Sequence, residues 1–224
     1  MTNLEQLAII EEYKAHLNNK EFPCIAARAS LAAQQIKCLV AQHLACPADD
    51  QAILEFLYNF VDEYRLSDDF YHSAAIIFTD PQIDNEKMFD ELMWQRLQAL
   101  ANLDAVNHPY DNRVDADPRS EKFSFSIKQE AFYIIGLHPA SSRLARRFRY
   151  PALVFNPHAQ FESLRETEHY EKMKNTVRKR DIAYSGSVNP MLEDFGKASE
   201  ATQYSGRKYD ASWQCPLKIK HAKT

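Results

Sequence analysis

Phe123-Ser-Phe-Ser-Ile127, Ala131-Phe-Tyr-Ile-Ile-Gly-Leu137 and Ala152-Leu-Val-Phe155 decide the fold class. Each run is short, rich in aromatic and β-branched residues, and bounded by polar or proline-containing sequence, which is the pattern of a buried strand. Only Lys128-Gln-Glu130 separates the first two, so they are expected to pair as a hairpin. Upstream, Ala74-Ala-Ile-Ile-Phe78 is apolar and is stopped by Thr79-Asp-Pro81, which suits a further strand. About a dozen residues lie between Leu137 and Pro151, enough for a short crossover helix joining parallel neighbours. His138 and His158 would then leave two strand ends at one edge of the sheet, where open α/β sheets bind ligands.

Helical periodicity surrounds these strands. Thr2-x-x-Glu5 has the form of a capping box, and Leu4, Leu7, Tyr13 and Leu17 keep helical spacing to about Asn18. An Ala-rich stretch from Ala26 to Leu44 reads as a second helix closed by Pro47, and Ala52 to Arg65 as a third. Glu86 to Asn102 is a fourth, and Pro157 to about Arg180 a charged one. The expected class is mixed α/β (α+β): a small central sheet of four to five strands flanked by helices, with a helical N-terminal third. No linker or repeat divides residues 1–224, so a single domain is expected.

A formal net charge of −4 argues against a partner that is nucleic acid or anionic membrane, since both demand a basic face. No apolar run approaches the roughly 18 residues that span a bilayer, and the start lacks a signal-peptide pattern. A cytoplasmic protein with a small-molecule partner is the expectation. Cys24, Cys38, Cys46 and Cys215 form no Cys-x-x-Cys pair, so neither a disulfide framework nor a zinc ribbon is indicated. The four glycines are too dispersed for a phosphate-binding loop.

Chemistry concentrates between Gly136 and Arg165. If Asn156 caps a helix whose first residue is Pro157, His158 sits in the first turn, where the positive helix end favours a neutral imidazole able to bind metal. A hydrogen-bonded cap histidine is the alternative. Arg143, Arg146 and Arg147 fall at i, i+3 and i+4, one cationic face on a helix, suited to carboxylates or phosphates; a solvated face is the alternative. Cys24, Cys46 and Cys215 each adjoin a proline and offer thiolates for iron, although a buried thiol is the commoner fate. Asp69-x-x-His72 and Glu166-x-x-His169 have the spacing of di-iron carboxylate helices but lack further inward acids.

The run from Phe132 to Arg165 (GLHP, SR-x-ARRF, P-x-LVFNPH-x-QFE-x-LR) resembles the YqcI/YcgG family, as do Phe22-Pro-Cys24, Phe123–Ile127, Asn189-Pro-Met-Leu192, Gln203-Tyr-Ser-Gly-Arg207 and Trp213-x-Cys-Pro216. The resemblance implies a haem b enzyme, an N-hydroxylase acting on the guanidino group of arginine or an arginine-like amino acid. His138, Arg143, Arg146, Arg147, Asn156, His158, Tyr204 and Arg207 fall on its motif positions, while Leu144 and Thr202 depart from the commoner pattern. Haem needs a neutral imidazole or thiolate on iron and cations for its propionates. His158 is the first choice as axial ligand, with His138 as second choice or as a distal catalytic group and Cys24 as a thiolate alternative. Arg143, Arg146, Arg147, Asn156, Tyr204 and Arg207 would bind the cofactor. Glu162, Glu193 and Asp194 are candidates to fork a guanidinium substrate. With no flavin or iron–sulfur motif in the chain, an external reductase or hydrogen peroxide would complete the reaction. Two rival readings are a non-catalytic haem carrier or sensor, and a non-haem iron oxygenase using His72 or His169.

Overall fold

The computed structural model describes residues 1–165, 169–186, 191 and 195–220. The expected capping box starts α1 (Asn3–Asn18): Thr2 Oγ1 accepts from Glu5 N at 3.3 Å, while Thr2 N donates to Glu5 Oε2 at 2.7 Å. The predicted second helix does not run to Leu44. It ends as α2 (Ile25–Ala32), and Ile36–His43 becomes strand β1. Gln34, with a φ of 59°, takes the left-handed conformation that breaks the helix. The residues after it gain a full ladder with a neighbouring strand, from Ile36↔Ser73 to His43↔Asp80, which outweighs the helical preference of their Ala-rich surroundings. Pro47 opens a 3-10 turn rather than closing a helix, and leads into α3 (Asp50–Arg65).

α3 is the crossover that brings β2 (Ser73–Asp80) parallel to β1. α4 (Glu86–Asp104) follows, its first turn capped by Asn85 Oδ1, which accepts from Met88 N at 2.9 Å. β3 (Phe125–Ile127) and β4 (Glu130–Leu137) form the expected hairpin. Its two turn residues, Lys128 and Gln129, have φ of 52° and 56°, a conformation usually left to Asn or Gly. Neighbours hold it: the Asp104 carboxylate accepts from Lys128 N at 3.0 and 3.1 Å, and Arg65 donates to the Lys128 and Gln129 carbonyls at 2.9 and 2.8 Å. β5 (Ala152–Pro157), α5 (His158–Arg165), α6 (His169–Ser185) and α7 (Ala201–Tyr204) complete the described elements.

The sheet order is β1-β2-β5-β4-β3. β5 runs antiparallel to both β2 and β4, so the expected parallel crossover after Leu137 is corrected: that connection carries only a 3-10 turn, Leu144–Arg146. Alternate residues of the central strands serve opposite cores. Ile76, Phe78, Leu153, Phe155, Phe132 and Ile134 pack toward α3 and α4, while Ala75, Ile77, Ala152, Val154 and Leu137 pack with Ile9, Tyr13 and Leu17 of α1. With both faces covered, the ends of the strands are the places left for chemistry. No described helix is long and apolar enough to cross a membrane.

Arg96 of α4 fastens the β1–α3 connection from below. Its side chain is 0% exposed, pairs with Asp50, and donates to the carbonyls of Leu44 (2.8 Å), His43 (3.0 Å) and Cys46 (2.7 Å). Arg96→Met is expected to lower stability by about 3–5 kcal/mol, because it strands a buried carboxylate and three carbonyls. Urea unfolding reads this directly; an unchanged midpoint would contradict the clamp.

Candidate functional site

At one edge of the sheet, β5 delivers His158 directly to the start of α5. Asn156 does not cap that helix, as the sequence suggested: it pairs within the strand, and its Nδ2 donates to the carbonyls of Tyr133 (3.1 Å) and Val154 (3.4 Å). His158 is 5% exposed. Its Nε2 stands 3.1 Å from Glu162 Oε1 and its Nδ1 3.3 Å from Glu200 Oε1. The Nδ1 contact has ion-pair distance without hydrogen-bond alignment, so that buried nitrogen has no hydrogen-bond partner among the described residues. The Phe195 ring lies against the imidazole at 4.3 Å.

The two carboxylates differ. Glu200 is buried beside Tyr204, whose hydroxyl lies 3.5 Å from Glu200 Oε2, accepts from Phe125 N at 3.1 Å and lies 3.3 Å from the Phe132 carbonyl. Glu162 has a 47% exposed side chain, paired with Arg165 on the same helix. One acid is thus fixed in the interior at the start of α7, and the other stands half-exposed in a pair with Arg165. Glu200 carries no motif of its own and escaped the sequence reading; its only signal is the i, i+4 spacing to Tyr204.

His138 is not brought to this site. In the antiparallel register Phe132 faces Pro157 while Leu137 faces Ala152, so the two histidines stand at opposite edges, roughly 20 Å apart at about 3.3 Å of rise per residue. His138 is 1% exposed and stacks on Phe89 at 4.2 Å with 22° between the rings. Gly136 makes room for that ring: a Cβ there would meet Phe89 Cε1 at 2.5 Å. Burial is the main cause that drives the His138 pKa down to about 4, and Nδ1 has no partner among the described residues.

The arginines do not form one cationic face. Arg143 is buried and paired with Asp181. Arg146 is buried and donates to the carbonyls of Gly136 (3.2 Å), Tyr204 (2.7 Å) and Gln203 (2.8 Å). Exposed Arg147 donates to the Ser141 carbonyl at 2.9 Å. The cause is that only Leu144–Arg146 turn, while Arg143 and Arg147 on either side are extended (φ −90°, ψ 118° and φ −84°, ψ 93°), so the three residues share no helix and no helix face. Arg207 pairs with Asp90 of α4 at 3.4 Å. Cys24 Sγ caps α2, accepting from Ala27 N at 3.4 Å, and burial raises its pKa, which favours the thiol over the thiolate. Asp69 and His72 lie in the connection between α3 and β2, not on a helix, so their spacing gives no shared face. Glu166, Glu193 and Asp194 lie outside the described residues, as do the surroundings of His169. Among the described residues no group of three or more His, Cys, Asp or Glu side chains is arranged around a single metal position. At His158 the reason is geometric: its two acids face opposite ring nitrogens.

The family profile of YqcI/YcgG, described as "YqcI/YcgG family", matches residues 13–218. The chain belongs to the YqcI/YcgG family. It is 26% identical over 231 residues to a Bacillus subtilis (strain 168) protein described as "Uncharacterized protein YqcI", an alignment covering 97% of this chain and 89% of that relative. No solved structure matches it.

His138 makes stability depend on pH. Its folded pKa of about 4 lies below the ordinary 6.5, so the unfolded chain takes up a proton first, and stability is lost as pH falls through this window. Going from pH 7.5 to pH 5, this residue should remove about 2 kcal/mol. His16 and His72, also lowered by burial, add to the loss. In His138→Phe the pH dependence should flatten by about that amount; an identical slope in urea titrations of both proteins would show that His138 is not the buried neutral group described.

Proposed function

We propose that this chain is a haem-dependent oxidoreductase that N-hydroxylates the guanidino group of arginine or an arginine-like amino acid, with His158 as the iron ligand. The observation that carries the reading is the buried Glu200 beside His158 Nδ1. Histidines that bind metal through one nitrogen characteristically present the other to a carboxylate or carbonyl, which fixes the tautomer and raises ligand basicity. The donor set fits that requirement: Glu200 and Tyr204 form the inner support, and Nε2 faces a half-exposed acid that can leave. Arg165, which pairs with Glu162 and whose guanidinium lies 5.6 Å from the Phe195 ring centre, would offer a cation to a propionate. Arg143 and Arg146 are committed to Asp181 and to main-chain carbonyls, and serve the fold instead.

A bound haem supplies the iron at which oxygen is activated. The chain's own part is to hold and orient. The charge of Glu200, 3.3 Å from Nδ1, would favour a proton on that nitrogen and leave the Nε2 lone pair outward. Phe195 shields the imidazole from water on one side. Glu162, displaced from Nε2, offers two oxygens to a guanidinium fork at the mouth of the site, with Glu193 and Asp194 as further acids of the same role. One oxygen atom would enter the substrate N–H bond, drawn from hydrogen peroxide, whose other oxygen leaves as water, or from dioxygen with two electrons from an external reductase and two protons, the second oxygen again leaving as water.

Expression with a haem precursor should give a protein with a Soret band that His158→Ala removes and His138→Ala retains. Glu200→Gln should retain the band but weaken haem binding by about 10–100-fold. A folded protein with no Soret band, or a band lost in His138→Ala and kept in His158→Ala, would contradict this assignment. A haem protein that does not turn over arginine or its analogues would be a carrier or sensor.

A further inference from the structure

Besides His158, helix α5 gives Ala159, Gln160 and Ser163 to a cleft of about 560 Å³, whose remaining walls come from the end of α3, the connection to β2, the loop at Asp111–Arg113 and the β3–β4 hairpin. That volume suits a small molecule. Four acids and two arginines line it. The inner charges balance one another: the buried Asp111 accepts from Arg113 Nε at 2.9 and 3.1 Å, and the buried Glu130 accepts from Arg113 at 2.7 Å and Arg65 at 3.4 Å. Asp68 and Asp69, both exposed at the rim, have no salt-bridge partner among the described residues. Tyr64 and the 46% exposed Phe70 add aromatic surface beside them.

A polar group in the wall supplies an independent indication of a ligand. Gln160 is 5% exposed; its Nε2 donates to the His72 carbonyl at 3.0 Å, whereas its buried Oε1 has no hydrogen-bond partner among the described residues. A buried carboxamide oxygen left unpaired costs free energy, and an incoming N–H donor would recover it. We propose that this cleft binds a small organic cation bearing N–H donors, an alkylammonium or guanidinium compound. Asp68 and Asp69 neutralise its charge, Tyr64 and Phe70 pack against its apolar and cationic parts, and Gln160 Oε1 accepts one of its hydrogens. The cleft is distinct from the Glu162 position at His158, and it gathers the same class of compound beside the helix that begins at His158. Its use in turnover rests on the haem reading; binding itself does not.

The test is titration of L-arginine and of L-citrulline, its neutral urea counterpart, into the purified full chain, followed by calorimetry and amide NMR. Arginine should bind saturably and shift resonances at Phe70, Gln129 and Ser163, while citrulline at equal concentration should not. Asp68→Asn/Asp69→Asn and, separately, Phe70→Ala alter exposed side chains and should each weaken arginine by about tenfold, with circular dichroism unchanged. Absence of saturable binding, equal binding of citrulline, or loss in Glu162→Gln without loss in the double variant would overturn the proposal. Failure of the haem reading is seen separately, in the Soret band of the same preparations.

Discussion

The antiparallel pairing of β4 with β5 is the constraint on which the rest of this structure depends. Six facing pairs of residues, from Phe132↔Pro157 to Leu137↔Ala152, cannot slip register by one without moving apolar side chains to the wrong face. That register sends His138 and His158 to opposite edges of the sheet. A ligand can engage one of them, not both. The division is chemical as well as spatial: His138 is a stacked, neutral core histidine, whereas His158 is held between two carboxylates at the start of a helix.

The C-terminal segment completes what the sheet begins. Tyr204 inserts its ring among Phe123, Tyr133 and Trp94, and its hydroxyl is tied to β3 and β4. Arg146 reaches across from the β4–β5 connection to the Gln203 and Tyr204 carbonyls. Gly206, with a φ of 80°, lies 3.4 Å by its notional Cβ from the Arg146 side chain, so a larger residue there would be strained in backbone and crowded in space. These contacts carry Glu200 to His158. Residues that stand out in the sequence as charged and clustered therefore do much of their work in assembling the site from inside, and the acid that faces Nδ1 arrives from more than forty positions downstream of its histidine.

How much of this was legible depended on whether the signal was local. The capping box at Thr2, the period of α3 and α4, the apolar β2 and the β3–β4 hairpin are all local, and the structure has each of them. The mixed class and four of the five strands follow from such local signals. β1 was misread because Ala-rich sequence favours a helix by propensity, and only pairing with β2, some 35 residues away, makes Ile36–His43 extended. The direction of β5 was misread for a related reason: a dozen residues can hold either a crossover or a return loop, and the choice is made by partners in the sheet. At the site, His158 was visible by type and position; Glu200 was not, because nothing short-range links it to α5. The arginine face fails on geometry, since the i, i+3, i+4 rule needs a continuous α-helix and Arg143 and Arg147 are extended on either side of a three-residue turn.

The central claim is that His158, supported by Glu200, is the group through which this chain holds iron. Resonance Raman spectroscopy of the ferrous, haem-loaded protein tests it most directly, through the iron–imidazole stretch. The account predicts a band that disappears in His158→Ala, persists in His138→Ala, and moves to lower frequency in Glu200→Gln as the ligand loses its carboxylate support. A band that survives in His158→Ala, or a thiolate signature in its place, would contradict it.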